Sequence, residues 1–128
     1  MNRSWWWPLD KPTIIWVVED DASIRSALEI ALESFGFAVT LAGDGREALE
    51  SIEKQRPSLV FLDMRMPVLD GWGFAEEARA RGFDPPIVVM TTREQAQKTA
   101  QDIGAVGSLG KPFALQELLT IVQQHRAP

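Results

Sequence analysis

Two periods alternate along this chain. Short, mostly apolar runs cover residues 13–18, 38–41, 59–62 and 87–90, with a weaker fifth around Val106 and Leu109. Runs this short suit strands covered on both faces better than helices. Between them, apolar residues recur at spacings of three and four, the period of a helix with one buried face. The first such stretch carries Ile24, Ala27, Leu28, Ala31, Leu32 and Phe35; the second carries Ala48, Leu49 and Ile52. The fourth has a thin face of Ala96, Ala100 and Ile103, and the last carries Leu115, Leu118, Leu119 and Val122.

Boundary signals sharpen these elements. Asp21 or Ser23 can cap the first helix, and Gly36 ends it. Asp44 with Glu47 reads as a capping box for a helix running to Arg56, stopped by Pro57. Asp70-Gly71 opens a third helix to about Arg81, and Pro85-Pro86 breaks the chain before the fourth strand. Thr92 with Gln95 can cap a fourth helix to Ile103. Gly107 weakens the fifth strand. The last helix opens on Phe113-Ala114 without a capping side chain, an omission that costs about 1 kcal/mol. The prediction is an α/β domain of five β-α units. Right-handed crossovers then give one parallel sheet with helices on both faces. Residues 1–12 show no periodicity and read as a tail, with one domain over 13–126 and no linker or second domain.

Composition narrows the function. A chain of 128 residues, 45% hydrophobic and 24% charged, fits one soluble globular domain. The net charge of −5 argues against a nucleic-acid surface. There is no cysteine, so neither disulfides nor thiolate sites arise, and a reducing cytoplasm fits. His125 is the only histidine, which disfavours a Ser-His-Asp triad or a multi-histidine metal site. No apolar run approaches the length of a membrane span.

The chemistry lies where the runs stop. The first ends in Glu19-Asp20-Asp21, the third in Asp63, the fourth in Thr91-Thr92 and the fifth in Lys111-Pro112. Parallel strands finish on one edge of the sheet, so these residues gather from distant positions. Carboxylates gathered there resist ionising unless a cation neutralises them, and an all-oxygen set suits Mg2+. A carboxylate beside Mg2+ is a candidate nucleophile toward a phosphoryl group. Thr91 can donate to a phosphoryl oxygen, and Lys111 can pair with another as a point charge.

The order Val17-Val18-Glu19-Asp20-Asp21 with Arg25, Leu62-Asp63-Met64-Arg65-Met66-Pro67 with Asp70-Gly71, Pro86 through Thr91-Thr92, and Lys111-Pro112-Phe113 with Glu117-Leu118-Leu119 resembles the receiver domain of two-component response regulators. The resemblance implies a flavodoxin-like three-layer α/β/α fold with strand order 2-1-3-4-5 and five helices. It implies that Asp63 accepts a phosphoryl group from a sensor histidine kinase or phosphotransfer protein. Glu19 and Asp20 would bind Mg2+, Glu19 through water, with Asp63 and the backbone carbonyl of Arg65 as further ligands. Thr91 and Lys111 would hold the phosphoryl oxygens, and a downstream protein would read the α4-β5-α5 face. Asp21 would give electrostatic support at most. One departure concerns the readout. Similar domains usually carry an aromatic residue three positions before the lysine, where this chain has Ser108 between Gly107 and Gly110. Thr91 and Ser108 are therefore the switch positions, and a shift of the thin fourth helix is the expected substitute readout.

Simpler readings stand beside these. The three acids can cap the first helix, Asp63 can be a turn aspartate, Thr91 a strand threonine and Lys111 a solvated lysine. Arg65 and Arg93, at positions that tune dephosphorylation in similar domains, can be plain surface charge. A degenerate receiver used only for docking or dimerisation, or a haloacid-type phosphatase, are the alternative functions. The latter needs a second aspartate where this chain has Arg65. Trp16 is expected in the core and Trp72 partly exposed near the site. Trp5, Trp6 and Trp7 form an apolar patch that either meets a partner, folds back on the domain, or is disordered and incidental.

Overall fold

The computed structural model describes residues 14–125. The expected tail, with Trp5, Trp6 and Trp7, lies outside the described residues. Ten elements alternate along the chain: β1 (Ile14–Val18), α1 (Ala22–Ser34), β2 (Ala38–Ala42), α2 (Gly45–Ile52), β3 (Leu59–Asp63), α3 (Gly71–Ala80), β4 (Ile87–Thr92), α4 (Ala96–Ile103), β5 (Gly107–Lys111) and α5 (Leu115–His125). The strands form one sheet in the order β2-β1-β3-β4-β5, and every pairing is parallel. This is the flavodoxin-like arrangement, with its switch point between β1 and β3.

Both faces of the sheet are covered, which is why the inner strands read as unbroken apolar runs. Trp16, Val18, Val60, Leu62, Ile87 and Val89 pack on one face against α2, α3 and α4. Ile15, Val17, Leu59, Phe61, Val88, Met90 and Leu109 pack on the other against α1 and α5. Trp16 is 1% exposed, and its indole Nε1–H donates to Gln55 Oε1 at 3.0 Å. That acceptor also takes the Thr40 hydroxyl at 2.6 Å, tying the α2–β3 connection to β1 and β2.

Several boundaries differ from the sequence reading for local reasons. Helix α2 ends at Ile52 rather than Arg56. The Lys54 and Gln55 N–H groups turn back to Ser51 O, freeing the Gln55 side chain for Trp16 and Thr40. Thr92 caps nothing; it is the last residue of β4, in register with Lys111. Helix α4 starts at Ala96 with no side-chain cap. Strand β5 covers Gly107–Lys111 rather than about Val106 to Leu109, so Lys111 is its final residue rather than lying beyond it. Leu115 is 59% exposed, and α5 buries Leu118, Ile121 and Val122 instead.

Other caps follow the sequence. Asp21 Oδ1 accepts from the N–H groups of Ser23 and Ile24, and Asp70 Oδ1 from that of Gly73. Asp44 Oδ1 accepts from Glu47 N–H, while Glu47 Oε2 reaches back to Gly43 N–H, one residue before the cap. The missing cap of α5 has a partial substitute: Glu117 Oε1 accepts from Ala114 N–H at 3.0 Å and from Arg93 Nη2 at the same distance. These two partners, the backbone donor first, hold the Glu117 carboxyl below its ordinary pKa.

Candidate functional site

The site forms at the carboxyl edge of β1, β3, β4 and β5. Glu19 follows β1 and Asp63 closes β3; Thr91 and Lys111 lie within the last two residues of β4 and β5. The loop after β3 turns away sharply. Val68 has φ 69°, and Leu69 N–H donates to Pro67 O at 2.7 Å, the geometry of a γ-turn that strains a β-branched residue. Helix α3 then starts hard against the end of β3. A Cβ on Gly71 would lie 2.8 Å from Asp63 O and 2.6 Å from Met64 Sδ, so only glycine lets the two segments meet.

Carboxylate oxygens of Glu19, Asp20 and Asp63 all lie within 4.8 Å of one another. Glu19 is fully buried and Asp63 is 5% exposed, while Asp20 is exposed. Lys111 Nζ donates to Glu19 Oε1 at 2.6 Å and lies 3.4 Å from Asp63 Oδ1. Glu19 Oε2 accepts from Asp21 N–H at 3.2 Å, and Asp63 Oδ1 from Arg65 N–H at 3.2 Å. One lysine thus faces three acids. Burial, then hydrogen bonding to Glu19 and its charge, raises the Asp63 pKa; the Arg65 N–H and the Lys111 charge oppose this and do not cancel it. For Lys111, burial works against the ammonium, but its contacts with Glu19 and Asp63 outweigh burial and raise its pKa. An oxygen-only cluster short of positive charge fits a hard divalent cation such as Mg2+.

The remaining expected residues surround this cluster. Thr91 is 6% exposed and in register with Gly110. It lines a hollow of about 380 Å3 with Met64, Arg65, Trp72, Gln95 and Lys98. Trp72 is 43% exposed, as its place near the site suggests. The Lys111-Pro112 peptide bond is cis. Ser108 lies in β5 in register with Val89 and lines a separate hollow of about 300 Å3 beside α5. Arg93 turns from the acids to pair with Glu117 at 3.0 Å. It crosses Gly110 so closely that a Cβ there would lie 2.8 Å from Arg93 Cα. Arg25 belongs to the sequence pattern, yet nothing in the sequence gives it a task. Here its Nη1 donates to the carbonyls of Glu19 and Asp20.

Five parallel strands in the flavodoxin-like order, with an acid cluster and a lysine at one edge, define an α/β domain whose site suits a divalent cation and an anion beside it. A model of the response regulator receiver domain matches residues 15–123, and the chain belongs to that family. It is 46% identical over 110 residues to the response regulator MprA of Mycolicibacterium vanbaalenii, covering 84% of this chain and 48% of that protein. With MprA of Mycobacterium leprae it shares 41% over 111 residues, covering 85% and 49%. The chain thus spans about half the length of these curated relatives. The chemotaxis response regulator CheY4 of Vibrio cholerae has a similar structure, with a TM-score of 0.80, 33% identity, and coverage of 90% of this chain and 99% of that one. The receiver domain of a Pseudomonas aeruginosa sensor histidine kinase gives 0.79 and 36%, covering 89% and 97%. That receiver holds a magnesium ion coordinated in its active site cleft. Receiver domains are signalling modules that interact with histidine kinases or phosphotransfer proteins and with downstream effectors. Among the described residues no helix is long and apolar enough to cross a membrane.

Proposed function

We propose that Asp63 is the phosphoacceptor of this receiver. The observation that carries the reading is the Lys111 ammonium placed between Glu19 and Asp63 beside an acid cluster of cation-binding size. Glu19, Asp20, Asp63 and the backbone carbonyl of Arg65 would hold Mg2+. When bound, that ion would screen the Asp63 carboxylate from an incoming phosphoryl group. In the transfer, an Asp63 oxygen forms a bond to phosphorus as the bond from phosphorus to the donor's histidine nitrogen breaks. The electron pair leaves with the imidazole. Lys111 and the Thr91 hydroxyl would take the phosphoryl oxygens, Lys111 exchanging part of its hold on Glu19 for the new anion.

The partners would be a sensor histidine kinase or phosphotransfer protein upstream and a protein target on the α4-β5-α5 face. The domain's own chemistry would be limited to gaining and losing the phosphoryl group on Asp63, in the cytoplasm and without direct contact to nucleic acid. An intact acid cluster with its lysine favours this over a docking-only module.

The test is incubation with acetyl phosphate and Mg2+, with intact-mass detection. One phosphoryl adduct is expected on the native chain, and none on Asp63→Asn or in EDTA. An adduct that persists in Asp63→Asn would overturn the assignment.

A further inference from the structure

Asp20 is the only member of the acid cluster that no side chain holds. Glu19 is tied to Lys111 and to Asp21 N–H, and Asp63 to Lys111 and Arg65 N–H. The Asp20 carboxylate is exposed and accepts no hydrogen bond among the described residues. Its direction is therefore set by its own backbone, at the turn between β1 and α1.

That backbone is clamped by Arg25. Its Nη1 donates to Glu19 O at 2.8 Å and reaches Asp20 O at 3.4 Å. The shaft is fixed at the other end, because Arg25 N–H makes the first bond of α1, to Asp21 O at 2.9 Å. The far side of the turn is pinned by Glu19 N–H donating to Ala42 O at 3.0 Å. Arg25 is a cation at a turn of three successive acids, Glu19, Asp20 and Asp21. It makes no ion pair among the described residues, where Arg46, Arg79, Arg93, Lys98 and Lys111 all do. Its donor goes to carbonyl oxygens at the point where the chain delivers two carboxylates to the site.

We propose that Arg25 is a positioning residue for the divalent cation, fixing the Glu19-Asp20 peptide so that the unsupported Asp20 carboxylate faces Glu19 and Asp63. The inference rests on the reading of these acids as the Mg2+ site. Groups that orient metal ligands commonly change metal affinity 10- to 100-fold when removed. Charge and position pull in opposite directions here. A guanidinium beside the site repels an arriving dication, so if charge alone mattered, its loss would tighten Mg2+ binding. If the clamp matters, its loss weakens binding because Asp20 must be ordered by the ion itself.

The experiment is calorimetric titration of the full chain with MgCl2, comparing the native protein, Arg25→Ala and Arg25→Lys, with melting in EDTA as the folding control. The clamp predicts that Arg25→Ala binds Mg2+ about 10-fold more weakly. Arg25→Lys, which keeps the charge and loses the rigid fork, should fall between. Equal or tighter binding by Arg25→Ala would overturn the proposal while leaving the metal site intact. Native protein that takes up no Mg2+ would instead overturn the site reading, and this inference with it. If Arg25→Ala does not fold, Arg25→Lys decides: weaker binding at unchanged charge supports the clamp, and native affinity refutes it.

Discussion

Asp63 sits under opposed influences, and burial with the neighbouring Glu19 charge prevails over Lys111 and the Arg65 N–H. Its carboxyl therefore holds a proton to higher pH in the folded chain than its ordinary value of 3.8. A raised folded pKa contributes stability that is fully present below the unfolded value and lost as pH rises through the folded one. Above that raised pKa and without Mg2+, the ionised Asp63 carboxylate repels Glu19. Asp63→Asn keeps an oxygen for Arg65 N–H and gains an amide that can donate to Glu19. We expect it to stabilise the fold by about 1 kcal/mol, raising the melting temperature by about 4 °C. The gap should narrow as pH falls through the raised pKa toward 3.8. Melting curves in EDTA between neutral pH and pH about 4 check this; a variant less stable than the native chain at pH 7 contradicts it.

The helices differ in how firmly they are held. Helices α2 and α4 each span eight residues. Helix α2 buries Leu49 and Ile52 and has the Asp44 cap; α4 buries two alanines and Ile103 and has none. A leucine contributes about 1.5–3 kcal/mol on burial and an alanine methyl about 0.8, so α4 is the more weakly anchored of the two. Its exposed Lys98–Asp102 pair, at 2.9 Å, adds a few tenths of a kcal/mol at most. It also shares a hollow with Thr91 and Trp72. With serine at position 108, α4 is the expected carrier of the signal from Thr91. Beryllofluoride with Mg2+ should shift the amide resonances of Ala96–Ile103 and the Trp72 indole; unchanged α4 resonances would sink that route. Position 92 shows why this helix starts later than its capping signal suggests. Thr92 and Gln95 have the spacing of a capping box, but the strand takes Thr92 first, through its pairing with Lys111.

At the scale of the whole molecule, the proposed cation site joins the ends of β1 and β3, with Lys111 of β5 beside it. A ligand that binds only the folded chain stabilises all of it, by about 2.7 kcal/mol at a hundred times its dissociation constant. The melting temperature should therefore climb with MgCl2, beyond the rise given by NaCl at equal ionic strength, and Asp20→Asn should blunt the difference. Equal responses to the two salts would show that screening of the net charge of −5 is the whole effect.

Most of the fold was legible because a sheet covered on both faces needs continuous apolar strands, and helices of this length need a stripe and a stop. The strand-end residues Glu19, Asp20, Asp63, Thr91 and Lys111 could be found the same way, since parallel strands end on one edge. Boundaries failed where a side chain had a competing partner across the fold. Gln55 bonds to Trp16 and Thr40 instead of α2 continuing. What the sequence by itself determined is the list of elements and the chemistry at their ends, because both are written in spacing and residue type. Only the tertiary structure decided which ends meet. It closed Lys111 onto Glu19 across 92 positions, buried that glutamate completely, and turned Arg25 onto the carbonyls of the acid turn. Those contacts depend on strand order and helix placement, which local spacing does not encode.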